Sequence, residues 1–144
     1  MSQTTSKPAL NPASSLDVTT SRSYSADEQA AVPPECAGTH FIVDFWGAIN
    51  LKDAAAIEAA LKAAASAAGA VLLHIHLHTF SGEGGVTGVA LLAESHISVH
   101  TWPERDYAAF DVFMCGNSAP ERAVALLKDI FKPTRVELQE IKRG

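Results

Sequence analysis

Between residues 71 and 115 the chain holds four runs of strand character separated by connections of only a few residues, and that compression dictates how the runs pair. Parallel neighbours need a crossover of a dozen residues or more, so links this short reverse the chain and make the pairing antiparallel. In residues 71–80, Val71, Leu73, Ile75 and Leu77 face one way and His74, His76, His78 and Phe80 the other. After the Gly-rich turn 81–85, residues 86–93 read as a buried strand running into Glu94 and Ser95. Ile97, Val99 and Thr101 then alternate with Ser98, His100 and Trp102 as far as Pro103, and residues 107–115 form the fourth run.

The flanks complete the plan. Phe41, Val43 and Phe45 alternate with His40, Ile42 and Asp44 in a strand over 39–46. Asn50 and Asp53 signal a helix start, Ile57, Leu61, Ala64 and Ala68 recur at helical spacing, and Gly69 stops a helix over 52–68. Ser118, Ala119, Pro120 and Glu121 read as a capping box with an early proline, opening a helix whose apolar face is Val124, Leu127 and Phe131. Lys132 and Pro133 end it, and 135–141 alternates as a last strand at a sheet edge. The expected fold is α+β: a two-layer sandwich of an antiparallel sheet with two helices on one face. Two helices cover only that face. The other calls for a partner, so the sheets of two chains should pack in a homodimer.

Residues 1–36, rich in Ser, Thr, Pro and Ala and without apolar periodicity, should form a disordered tail ahead of one domain over 37–144. A net charge of −5 argues against nucleic acid as partner, because phosphate recognition needs clustered Lys and Arg. No stretch approaches the roughly 20 apolar residues of a membrane span, and no secretory signal opens the chain. A cytoplasmic protein acting on a small molecule is expected, with Cys36 and Cys115 as free thiols.

Chemically versatile side chains crowd into one region: Thr87, Glu94, Ser95, His96, Ser98, His100, Glu104, Asp111 and Cys115. Each also has a structural reading, Ser95 as a turn residue, His96 or His100 as a core histidine, and Cys115 as a small buried hydrophobe. The runs Gly85-Val86-Thr87-Gly88, Leu92-Ala93-Glu94-Ser95-His96-Ile97-Ser98-Val99-His100-Thr101-Trp102-Pro103-Glu104, Tyr107-Ala108-Ala109 and Asp111-Val112-Phe113-Met114-Cys115-Gly116 closely resemble the short, single-repeat S-adenosylmethionine decarboxylases of bacteria and archaea. The likeness extends more loosely from His40 to Ile141.

That resemblance implies a proenzyme that cuts itself between Glu94 and Ser95 into chains 1–94 and 95–144. The Ser95 hydroxyl would attack the preceding carbonyl to give an ester; loss of the Ser95 α-proton then expels the ester and leaves a dehydroalanine, which hydrolyses to a pyruvoyl group and ammonia. A pyruvoyl ketone forms a Schiff base with a substrate amine and accepts the electrons freed as carbon dioxide departs, so no external cofactor is implied. By the same resemblance His100 is the base of self-processing and Cys115 the acid that returns a proton to the substrate, roles that suit an imidazole and a thiol. Phe80 would stack on adenine and Glu104 hold the ribose hydroxyls, while Thr87 stands where many relatives carry Ser. The turn Ser81-Gly82-Glu83-Gly84 is a residue longer than in many relatives, next to the implied adenine pocket. The motif therefore fixes the reaction better than the substrate, and arginine or ornithine is the alternative.

Two other readings compete. His74, His76 and His78, with Cβ atoms ~7 Å apart on one strand face, could ligate zinc in a metal-binding or hydrolase domain. A non-processing scaffold of the same fold is the other, against which stand the intact Glu94, Ser95, His100 and Cys115. No metal is expected. If Ser95 to His100 is straight strand, ~16 Å separates their backbones, too far for the imidazole to reach its own Ser95. Either the strand bends, or His100 of one protomer serves Ser95 of the other.

Overall fold

The computed structural model describes residues 36–144, so the expected tail lies outside the described residues except for Cys36. In chain order the elements are β1 (Gly38–Trp46), α1 (Ala54–Ala67), β2 (Leu72–Thr79), β3 (Val86–Leu92), β4 (Ser95–Trp102), a 3₁₀ turn (Pro103–Arg105), β5 (Tyr107–Cys115), α2 (Pro120–Phe131) and β6 (Arg135–Arg143). The strands form one six-stranded antiparallel sheet in the order β2-β3-β4-β5-β1-β6. This is the α+β layering expected, with β6 at an edge. No helix among the described residues is long and apolar enough to cross a membrane.

The core lies between the sheet and the helix pair. Strand alternation sends Phe41, Val43 and Phe45 of β1, Ile97 and Val99 of β4, and Ala108, Phe110 and Val112 of β5 into it. They meet Ile57 and Leu61 of α1 and Leu127 and Phe131 of α2. Phe110 is central, its ring 5.2 Å from Phe45 and 5.3 Å from Phe131. Each Phe, Leu, Ile or Val among them contributes about 1.5–3 kcal/mol through burial.

Both helices stop and start for local reasons. The Asp53 side chain accepts the Ala56 N–H at 3.0 Å and caps α1. At its other end Gly69 adopts φ +74, and the Ala70 N–H returns to the Ala65 carbonyl at 3.0 Å, satisfying an orphan acceptor. The expected capping box at Ser118 does not form: the N-cap of α2 is Ala119, with no side-chain cap bond. Pro120 at the first helical position is the cause, because the residue before a proline is driven to extended backbone. The Ala119 N–H is used instead to bond the Ala68 carbonyl at 2.9 Å, tying the two helices together.

Two strands depart from the expected pattern. In β2 the register shifts between Leu72 and His74, so that Leu73 is an inserted residue. This bulge swaps the faces around it: Leu72, Ile75 and Leu77 pack on the core, while Val71 and Leu73 are exposed. Strand β3 is covered on one face only, with Val86, Ala90 and Leu92 buried and Val89 and Leu91 exposed. Gly88 faces the Leu77 backbone so closely that a Cβ would lie 2.4 Å from the His76 carbonyl oxygen, which is why a glycine stands there.

The sheet face away from the helices is mixed rather than apolar. Cross-strand register puts all six histidines on it, in rows with Thr87, Ser98, Asp111, Phe113 and Ile141. A further row runs Trp102, Tyr107, Trp46 and Arg135, with Trp102 and Tyr107 stacked at 5.2 Å and the Arg135 guanidinium 3.8 Å from the Trp46 ring centre.

Candidate active site

The β3–β4 hairpin turns on two residues, Ala93 and Glu94, because Leu92 pairs with Ser95. Two-residue hairpins favour turns in which the first central residue has positive φ. Here the positive value, +56°, falls on Glu94. A non-glycine residue pays for that conformation, so backbone strain is stored at the residue whose carbonyl precedes Ser95.

Ser95 begins β4 with its side chain on the covered side, 6% exposed. Its Oγ accepts the Cys115 backbone N–H at 3.2 Å and donates to Cys115 Sγ at 3.6 Å; the thiol in turn donates to Glu94 Oε2 at 3.5 Å. Pairing of His96 with Phe113 is what carries the end of β5 to this turn. Glu94, Ser95, His96, Phe113 and Arg143 line a cavity of about 570 Å³ beside it.

A second cavity, about 510 Å³, lies at the other end of β4 and is lined by Phe80, Glu83, Thr87, His100, Trp102 and Glu104. Thr87 pairs with His100 across the strands, and Thr87 Oγ1 is 2.5 Å from His100 Nδ1. Phe80 follows β2, 53% exposed, with its backbone N–H on the Gly85 carbonyl at 2.8 Å and its ring edge-on to His78 at 4.9 Å. Gly85 presses so tightly on β4 that a Cβ would come 2.7 Å from the Thr101 carbonyl oxygen. The loop between them leans on the segment just before α1 through Lys52 and Glu83, 3.7 Å apart.

The residues expected to act together thus fall into two groups. Glu94, Ser95 and Cys115 meet at one end of β4; Phe80, Thr87, His100 and Glu104 gather at the other. Pairing from Ser95 to His100 runs without a register shift, which removes the bent-strand alternative within one chain. Five residues of straight strand span ~16 Å. Among the described residues, no group of three or more His, Cys, Asp or Glu side chains gathers as a metal site, and His74, His76 and His78 point outward along an edge strand.

Between the two ends lies a polar cluster that the sequence did not announce. Ser98 Oγ donates to Asp111 Oδ2 at 2.9 Å, and Asp111 Oδ1 is 3.2 Å from His40 Nε2. His40 comes from a strand 71 positions away in the chain, so no local spacing could have paired them. His96 lies beside this cluster, and burial, then His40, push its pKa below the ordinary 6.5. As pH falls below 6.5 the unfolded chain takes up a proton that folded His96 resists, so stability should decline across the window beneath that value. His96→Gln should flatten this part of the Tm against pH curve; an unaltered slope would assign the acid sensitivity elsewhere. Tyr107, on the aromatic row, has its pKa pushed up to about 12 by burial and then by its hydrogen bond to Asp44.

Comparison with known proteins identifies the family to which the fold and sequence belong. Residues 39–144 match the S-adenosylmethionine decarboxylase family. The chain is 43% identical over 108 residues to the S-adenosylmethionine decarboxylase proenzyme of Thermomicrobium roseum, covering 74% of this chain and 93% of that one. It is 48% identical over 110 residues to the proenzyme of the same name from Methanococcus vannielii, covering 74% and 89%. The crystal structure of the Aquifex aeolicus adenosylmethionine decarboxylase superposes with a TM-score of 0.70 at 32% identity, over 76% of this chain and 92% of that one. With the family match covering residues 39–144, all six strands but for Gly38 and both helices included, this chain belongs to the S-adenosylmethionine decarboxylase family.

Proposed function

We propose that the chain is a proenzyme that cleaves itself between Glu94 and Ser95 and then decarboxylates S-adenosylmethionine. The observation that carries this reading is a serine hydroxyl oriented by Cys115 directly after a residue in strained, left-handed backbone. Attack of Ser95 Oγ on the Glu94 carbonyl carbon replaces the amide with an ester and releases the strain at Glu94. Removal of the Ser95 α-proton breaks the bond to the ester oxygen, leaving Glu94 with a free carboxylate and residue 95 as the precursor of a pyruvoyl group.

The surroundings fit such a group: residue 95 opens onto a cavity of about 570 Å³, and Cys115 contacts the Ser95 oxygen. Once formed, the pyruvoyl ketone would supply the electron sink for loss of carbon dioxide. Cys115 then has a thiol proton to deliver at the substrate's α-carbon, with the Glu94 carboxylate 3.5 Å away to orient it. Phe80 presents a ring face to a purine and Glu104 a carboxylate to ribose hydroxyls. This lining supports S-adenosylmethionine over arginine or ornithine, which have neither purine nor ribose to fill it.

Because the two groups of residues sit at opposite ends of β4, the reading includes a dimer packed through the open sheet face. His100 of each protomer would then serve Ser95 of the other. Intact mass of the purified protein tests the cleavage: two polypeptides, 1–94 and 95–144, the second resistant to Edman degradation, are expected. A single full-length chain that releases no carbon dioxide from S-adenosylmethionine would overturn the proposal, and faster release from arginine or ornithine would reassign the substrate.

A further inference from the structure

Strand β1 brings two distant residues into one row. Gly38 pairs with Cys115 on one side and with Arg143 on the other, so the last residue of β6 lies two strands from the thiol, ~10 Å between backbones. Gly38 has no side chain to fill that gap, and a Cβ there would run 2.8 Å from the Phe113 ring. The Arg143 guanidinium occupies the same side of the sheet, 5.5 Å from the Phe113 ring centre, and helps line the cavity that holds Glu94 and Ser95. The end of β6 pairs with β1 at Gly38, and the Cys36 thiol shares its one proton between the Gly38 and Arg143 carbonyls at 2.9 and 3.2 Å.

The charge of Arg143 is unspent. Among the described residues, no carboxylate lies within salt-bridge distance of it, whereas Arg135 and Lys142 of the same strand pair with Glu137 and Glu140. Lys142 alternates to the opposite face, and Glu94, which lines the same cavity as Arg143, engages the Cys115 thiol. Among the described residues, Arg143 is the one Lys or Arg lining this cavity, and none lines the cavity of Phe80 and Glu104.

We infer that Arg143 is the binding residue for the substrate's α-carboxylate, a role that rests on the function proposed above and deepens it. A guanidinium takes a carboxylate through paired, parallel hydrogen bonds, which also sets the direction of the carboxylate's bond to the α-carbon. The interaction belongs to the bound substrate and vanishes with carbon dioxide. Arg143 therefore governs affinity for the acid more than the rate of its breakdown, and favours release of the amine product.

The test compares ligands with and without the carboxylate. Full-length Arg143→Gln and Arg143→Lys chains are allowed to cleave, and their ketone is reduced with borohydride so that substrate binds without turnover. Calorimetry then gives affinities for S-adenosylmethionine and for its decarboxylated amine. Arg143→Gln is expected to weaken S-adenosylmethionine about ten- to a hundredfold and the amine by less than about threefold, with Arg143→Lys recovering part of the loss. In the unreduced enzyme KM rises while kcat holds. Equal weakening of both ligands, or of neither, overturns the assignment. So does an Arg143→Gln chain that no longer cleaves beside an Arg143→Lys chain that does, since the charge would then serve Glu94. A wild-type chain that stays whole brings down the underlying function instead, and this role with it.

Discussion

A chain carrying Ser95→Ala is expected to run as a single full-length polypeptide and to release no carbon dioxide. No hydroxyl remains to attack the Glu94 carbonyl, and without the ester there is no route to a ketone at residue 95. The fold should survive. The Ser95 hydroxyl makes two hydrogen bonds, both to Cys115, and their loss costs about 1 kcal/mol each, small beside the core formed by Phe45, Phe110 and Phe131. Circular dichroism indistinguishable from the wild type, with an uncut band on a denaturing gel, is the expected pair of results. Two bands from the Ser95→Ala chain would defeat the cleavage mechanism. Cys115→Ala separates the two stages, because the thiol touches Ser95 but need not perform the acyl shift. That chain should still cleave, at least in part, and lose about 10²- to 10⁴-fold in turnover, the usual worth of a positioned acid.

Co-expression of Ser95→Ala with His100→Ala should restore cleavage that neither variant shows alone. The geometry behind this expectation is the uninterrupted pairing of β4 with both neighbours, which holds the two side chains at opposite ends of a straight strand. In a mixed dimer, the His100→Ala chain supplies an intact Ser95 and the Ser95→Ala chain an intact His100, so one complete site forms of two. Half of the chains in verified mixed dimers, those carrying His100→Ala, are expected to be cut, as read by mass with one partner tagged. If no cut chain appears in such dimers, the base does not come across the interface, and a bend in β4 that brings His100 to Ser95 of its own chain becomes the better account.

Much of this was legible because strand alternation is a local signal. Phe41, Val43 and Phe45 in β1, and Ile97 and Val99 in β4, fall on the buried face for the reason their spacing gives: successive side chains on a strand point to opposite sides. Alternation fails where the backbone gains a residue, and nothing in the apolar run through Leu72 and Leu73 marks which one is the bulge at β2. A serine three residues before a glutamate likewise signals a cap, yet the intervening Pro120 moved the N-cap to Ala119.

The sequence alone determined the antiparallel meander, the faces of most strands, and the run from Glu94 to Cys115 that carries the chemistry, because each depends on residues close together in the chain. Only the tertiary structure decided that β1 inserts between β5 and β6. That insertion sets His40 against Asp111 and Arg143 in line with Cys115. It likewise decided that Ser95 and His100 stand at opposite ends of one straight strand. Strand neighbours are chosen by the summed burial of a whole face and by ladders between distant segments, and a pattern of period two, being the same for every strand, carries no record of which strand lies beside it.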